Sequence, residues 1–464
     1  MGNKWNTVRL GDYCIKIGSG ATPKGGNSVY TDTGNTYFIR SQNVYNDGFN
    51  TNGLVFITDE AALKLKNVDV QENDILLNIT GDSVARVCIA PRAFLPARVN
   101  QHVAIIRPKN NAFDPRFLRY FLSSPHQQAL LLTLASAGAT RNALTKGMIE
   151  DLQVPKPHVH TQISIANVLE SFDKKIESNN KINQTLEKMS QTLFKSWFVD
   201  FDPVIDNALD AGNSIPEALQ SRVELRQKVR NSADFKPLPA NIRTQFPAEF
   251  EETELGWVPK GWLLESVAKS ININPSVKLP KNTIAKYVDM KSLPTQGYSI
   301  SDIIEKPYSG GTKFQKNDIL FARITPCLEN GKTGFVDFLD ENETAFGSTE
   351  FIVMRGTTKV HYTYVACLAR ENHFRLHAIQ NMVGSSGRQR VQNSCFDSFF
   401  IAIPTPSVMR LFAGKVSSFF DKMHCCNVEN KSLTALRNTL LPKLISGELS
   451  LEDLPDLIKQ TEAA

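Results

Sequence analysis

The chain lacks the signatures of most enzyme classes. Its seven cysteines form no Cys-x-x-Cys, and Cys425 and Cys426 are adjacent. That spacing argues against a zinc site, and the odd number against a disulfide framework, so a reducing compartment is expected. No stretch approaches the roughly 18 apolar residues of a membrane span, and Met1 to Leu10 carries no apolar signal-peptide core. A cytoplasmic protein is therefore expected. Gly331-Lys332-Thr333 ends like a phosphate-binding loop, but Pro326 stands where that loop needs a glycine. Gly384-Ser385-Ser386-Gly387 is not a nucleophile elbow. His373 and His377 lack the zinc-protease glutamate, since Phe374 takes its place. His158 and His160 have no third ligand nearby. No Asn-Pro-Pro-Tyr, Asp-Pro-Pro-Tyr or Phe-x-Gly-x-Gly marks a base methyltransferase. No catalytic residue, no metal site and no cofactor of the chain's own are expected.

What is present is ordinary in bulk: 464 residues, 41% hydrophobic, 21% charged, net charge +5. That length suggests about two to four domains. Two runs stand out. Thr161–Phe198 contains neither glycine nor proline, and Pro406–Leu441 is broken only by Gly414. Phe172, Ile176, Asn179, Asn183, Leu186, Ser190, Leu193 and Trp197 recur at steps of four and three, as in a coiled-coil seam. Phe420, Met423, Asn427, Asn430, Leu433, Leu436 and Leu440 trace a second stripe. Pro442 is expected to end the second helix. A long amphipathic helix cannot bury its stripe alone, so the two should pair, antiparallel. The asparagines then either fix register in the seam or face solvent.

The rest of the chain repeats itself. Gln71-x-Asn73-Asp74-Ile75-Leu76 recurs as Gln315-x-Asn317-Asp318-Ile319-Leu320. Val103-x-x-Ile106-Arg107 matches Phe351-x-x-Met354-Arg355, Gly138-x-x-Arg141 matches Gly387-x-x-Arg390, and Pro155-x-Pro157 matches Pro404-x-Pro406. The matches fall in one order, which marks a duplication. The layout is a globular unit over 1–154, a rod over 155–200, a linker over 201–255, a second unit over 256–404, a second rod over 405–450 and a tail over 451–464. The linker is rich in proline and holds one short helix, capped by Ser214 and Glu217 and running to about Val229. The expected fold is α+β: two duplicated mixed α/β domains joined by two long antiparallel coiled-coil helices, with pseudo-two-fold symmetry.

The globular units offer basic and polar loops. The first unit supplies Lys24, Arg40, Ser41, Asn43, Arg86, Arg98, Gln101, Arg141 and Asn142. The second supplies Lys313, Arg323, Thr325, Lys332, Arg388, Gln389 and Arg390. Arg, Asn and Gln reach base edges through paired hydrogen bonds, while Lys and Arg neutralise phosphates. Positions kept in both copies, such as Arg107/Arg355 and Arg141/Arg390, are expected to serve the scaffold or a sequence-blind contact. Loops that differ, such as Arg40–Asn43 against Arg323–Thr325, are expected to select bases.

Three segments resemble the DNA-specificity subunits of type I restriction–modification enzymes. Ser196-Trp197-Phe198-Val199-Asp200-Phe201-Asp202-Pro203 is similar to the end of that family's central conserved region. Glu254-Leu255-Gly256-Trp257-Val258-Pro259-Lys260-Gly261-Trp262 is similar to the entry of its second target-recognition domain. Leu440-Leu441-Pro442-Lys443-Leu444-Ile445-Ser446-Gly447-Glu448-Leu449 resembles the close of its distal helix. The resemblance implies two target-recognition domains reading the halves of a split double-stranded DNA site, with the helix pair as spacer. It implies a non-catalytic subunit on which two modification subunits dock, using S-adenosylmethionine. Restriction subunits would use ATP and Mg. A coiled-coil interaction scaffold without sequence-specific DNA binding is the alternative.

Overall fold

The computed structural model describes residues 5–137 and 142–453. Arg141 and Gly138 lie outside the described residues. The chain divides into two compact units, one built from 1–177 with 430–464 and the other from 178–429.

In the first unit an antiparallel sheet has the order Val87–Ile89, Ile75–Asn78, Val103–Pro108, Cys14–Ser19. Its central strands are apolar on both faces because both faces are covered. Ile75, Leu77, Ala104 and Ile106 face helix Pro115–Ser123 through Phe117, Leu118 and Phe121. Leu76, Val103 and Ile105 face the other way, onto a five-stranded sheet that includes Thr36–Ile39 and Ala97–Val99. Period-two alternation thus sorts one strand into two cores. Asp114 caps the helix by accepting from the Arg116 and Phe117 amides, with Pro115 in the first turn.

The second unit repeats the arrangement. Ile319, Phe321, Ile352 and Met354 enter one core, while Leu320, Phe351 and Val353 enter the other. The repeated Asn-Asp-Ile-Leu motif has a structural reason. Asn73 and Asn317 both take left-handed backbone, at φ 69 and 67°. The next residue, Asp74 or Asp318, is fully buried. Asp74 accepts from the Gln71 amide and from Arg107 Nε and Nη2, all at 2.7 Å. Asp318 accepts from the Gln315 amide at 2.7 Å and from Arg355 at 2.6 and 2.7 Å. Pairing with its aspartate raises each arginine above the ordinary guanidinium pKa. Arg107 and Arg355 therefore belong to the scaffold.

The rod helices span Val159–Phe194 (36 residues) and Pro406–Ser446 (41 residues). A wider π turn, Lys195–Val199, follows the first. Pro442 does not end the second, correcting the expectation. It sits inside the helix, where the chain tolerates the lost amide because Leu440, Leu441, Leu444, Ile445 and Leu449 bury themselves in the first unit's core. Within the first unit, Arg437 Nη1 donates to Asp173 at 2.6 Å, and Phe172 packs against the cluster that contains Leu440. Ile176 is half-buried there. Within the second unit, Asn183 Nδ2 donates to Asn427 Oδ1 at 2.8 Å. Leu186 and Leu193 pack on a core holding Trp197, Phe420 and Met423. The descending partner numbers show antiparallel pairing in each unit. Asn179, almost wholly buried, donates to Glu429 at 2.7 Å. Asn430 is half-buried in the first unit.

Residues 201–255 are not a linker with one short helix. They form helices Asp202–Ala211, Gln220–Arg230 and Ala240–Arg243, then a hairpin of Phe250–Thr253 with Gly256–Pro259. Pro203 lies in a first helical turn, and Pro216 and Pro239 directly precede helical turns. The prolines start helices, where a missing amide does no harm. Val204, Ile205, Ala208, Leu219, Val223 and Phe246 are buried. Arg226 donates twice to Asp206, at 2.9 and 2.6 Å, and Asp210 joins Arg230 to Arg243. The expected Ser214–Glu217 capping box does not form, because Leu219 precedes the long helix without a side-chain cap.

Candidate nucleic-acid interface

In each unit the strand register gathers the candidate loops at one edge. Strand Thr36–Ile39 runs parallel to Ala97–Val99, so Arg40 and Asn100 leave together, and the Asn100 amide bonds the Ile39 carbonyl at 3.0 Å. Val103 opposes Asn78, and Ala104 opposes Ser19. Hence Gly20, Thr80 and His102 emerge at that same edge. Gly20 passes so close to the Val99 and Asn100 carbonyls that a Cβ would collide with them. The loop it starts carries exposed Lys24.

An open groove of about 850 Å³ lies there, lined by Ser41, Tyr45, Thr80, Arg86, His102 and Asn142 among others. Arg86 stacks 4.5 Å over the Tyr45 ring. Thr80 Oγ1 and His102 Nδ1 share a hydrogen bond of 2.6 Å. Exposed Gln101 stands beside His102, and exposed Asn142 receives the Gly81 amide on its carbonyl at 3.3 Å.

Other candidates are turned inward. Asn43 is fully buried; its amide donates to the Asn50 and Asn52 carbonyls at 2.8 and 3.3 Å, shaping the loop. Arg98 pairs with Asp69 and donates to the Ala62 carbonyl. Thr325 is buried. These three are corrected from base or phosphate contacts to frame, because their donors and acceptors are already used inside the protein. Arg40 is half-committed, since its guanidinium bonds the Gly53 carbonyl and lies 5.6 Å over the Tyr30 ring.

In the second unit, Phe351 opposes Ala322, and Val288 lies parallel to Gly347. Arg323, Glu350, Asp289 and Ser348 therefore share the corresponding edge. Arg323 Nη2 donates to the Val391 carbonyl at 2.8 Å. Lys332 donates to the Met290 carbonyl at 2.8 Å, and Lys313 lies 5.8 Å over the Tyr308 ring. Hairpin Met382–Val383 with Arg390–Val391 brings exposed Arg388, half-buried Gln389 and Arg390 to this edge.

The structure also re-pairs the loops. Turn Ser41–Asn43 follows strand Thr36–Ile39, and turn Met290–Ser292 follows the equivalent strand Ile284–Val288. The counterpart of Arg40–Asn43 is therefore Asp289–Ser292, and Arg323–Thr325 corresponds to Ile79–Gly81. Sequence reasoning missed Thr80, His102, Lys291 and Glu350, and reached Gln42 only as part of the Arg40–Asn43 loop. His102 and Glu350 each directly precede a repeated anchor, Val103 or Phe351, and that position was the available signal.

The geometry defines a duplicated two-domain reader: polar loops at one strand edge of each unit, and each unit built around paired stretches of two long helices. Comparison with known proteins agrees. Residues 2–188 match the family described as type I restriction modification DNA specificity domain. The chain is 26% identical over 374 residues to the HindI specificity subunit of Haemophilus influenzae, covering 76% of this chain and 81% of that one. It is 25% identical over 406 residues to the MjaIX specificity subunit of Methanocaldococcus jannaschii, covering 85% and 82%. The type I S subunit structure from M. genitalium shares the fold at a TM-score of 0.53 and 15% identity, over 96% of both chains. Over residues 2–188 the chain thus carries a type I restriction–modification DNA specificity domain.

Proposed function

We propose that this chain is the non-catalytic DNA-reading subunit of a type I restriction–modification complex. Each unit binds one half of a bipartite duplex site through its loop edge, and the helix pair sets the spacing between the halves. The observation that carries this reading is the contrast between a repeated buried frame and reading edges that differ. Half-sites read from one face of B-DNA lie about 34 Å apart, or a multiple of it. A helix of 36 residues is about 54 Å long, enough to act as a ruler on that scale. The helix surface also docks the modification subunits, two of them, which carry S-adenosylmethionine. Restriction subunits supply ATP and Mg²⁺ chemistry.

The test is binding to duplexes carrying two selected half-sites at varied separation. Affinity should fall sharply when the separation changes by one base pair, and should fall with rising salt. Inserting one heptad into both rods should move the preferred separation. Binding indifferent to sequence and spacing would leave a protein-interaction scaffold instead.

A further inference from the structure

The hairpin of Met382–Val383 with Arg390–Val391 has a fixed base and an exposed tip. The Val391 amide donates to the Arg323 carbonyl at 2.9 Å, and the Thr325 amide to the Gln389 carbonyl at 3.1 Å. The Gln389 amide in turn donates to Thr325 Oγ1 at 3.0 Å. The guanidinium of Arg390 is fixed as well. Its Nε donates to Glu350 at 3.0 Å and its Nη2 at 2.7 Å. Nη1 has only a long contact of 3.4 Å, to the Arg388 carbonyl, and 43% of the side chain stays exposed.

An arginine fork has more than one edge. With the Nε edge held by a carboxylate, the edge formed by Nη1 and the outer Nη2 hydrogen remains available. Two such donors match O6 and N7 of guanine in the major groove, which also admits a two-stranded ribbon. The pairing bears on charge too. An arginine neutralised by an adjacent glutamate attracts phosphate weakly, because the pair has no net charge and the carboxylate repels the backbone. Its hydrogen-bond geometry survives, so the pair suits a base edge better than a phosphate. The described residues of the first unit place different chemistry there. His102 occupies the position of Glu350 and bonds Thr80 instead.

We propose that Arg390, with Glu350 as its positioning residue, reads a guanine in the half-site bound by the second unit. This rests on the DNA-recognition reading above and replaces the sequence-blind role that the repeat suggested for Arg390.

The experiment is selection from a random duplex library by the full-length chain, alone and copurified with its modification subunits. The wild type should select a bipartite consensus with a guanine in one half. Arg390→Ala and Arg390→Lys should each weaken preference for that guanine by about 10- to 100-fold and leave the other half intact. Glu350→Gln should loosen the same position several-fold and no other. Replacing that guanine by 7-deazaguanine should weaken the wild type and not Arg390→Ala. Thermal midpoints near wild type would show that the exposed substitutions spare the fold. An unchanged consensus with uniformly lower affinity would make Arg390 a phosphate contact and overturn the proposal. So would guanine preference retained in Arg390→Ala. An unaltered profile in Glu350→Gln would remove its positioning role. A wild type that selects no sequence in either form would instead refute DNA recognition itself.

Discussion

Asp74 and Asp318 occupy the same place in the two units and make the same bonds: a forked pair to arginine and a bond from the amide three residues earlier. Twenty-eight and thirty-two residues further along, His102 and Glu350 also share a place, yet one bonds Thr80 and the other bonds Arg390. The difference follows from solvent. A fully buried carboxylate must be paired, and only a few side-chain sets do that. At the strand edge water satisfies any polar group, so each copy is free to hold different chemistry. The frame is constrained by burial, and the edge by what it binds.

The strongest way to break this comparison is to attack the frame in each copy. Asp74→Ala and Asp318→Ala should each cost about 3–5 kcal/mol, because an arginine and an amide lose a buried partner. Urea unfolding would measure it, and a large loss in one unit with none in the other would show that the frames are not equivalent. Next come the edges. Gln42→Ala or His102→Ala should relax base preference in one half-site by about 5- to 100-fold, and Lys291→Ala in the other, without lowering stability. Arg98→Ala should do the reverse, costing about 1–3 kcal/mol while leaving the selected consensus unchanged. A shifted consensus in Arg98→Ala would erase the line drawn between frame and edge.

Smaller effects are expected on the helices. Replacing Asn183 and Asn427 together by leucine should raise the free energy of unfolding by on the order of 1 kcal/mol, since polar seam residues trade stability for register. Cysteine cross-links across the pair should then report more than one register. A single register at lower stability would count against that role. The least effect belongs to Lys174, Lys175 and Lys188. Charge reversal at each should weaken capture of the modification subunit a few-fold and spare the fold. Unaltered capture by all three variants would remove the proposed docking face.

Periodicity makes the rods legible in the sequence, because a heptad stripe needs only sequence spacing. Repeated motifs exposed the duplication for the same reason. Pro442 misled, since local propensity predicts a stop and core burial of Leu444 and Ile445 overrides it. The stretch 201–255 misled in the opposite direction: prolines that look like linker are helix starters once Val204, Val223 and Phe246 have a core to enter. The reading edge was partly legible. Arg86, Gln101, Asn142 and Arg390 reach it, but composition cannot tell an arginine facing solvent from Arg98, which is folded back onto Asp69. Thr80 and His102 are ordinary residues in sequence and meet only through strand register.

The first unit is closed by residues from both ends of the chain. Leu440, Leu444 and Leu449 complete a core begun by Leu10 and Ile17. The second unit is made of one continuous stretch. About 260 residues separate Glu177 from Leu440, and at about 5–20 residues per second a ribosome needs on the order of 10–50 s to cross them. Through that interval the domain begun first waits with an open apolar face, while the domain begun second can already close. The unit that is first out of the ribosome is the last to be finished, and it carries the greater exposure to chaperones and proteases during synthesis.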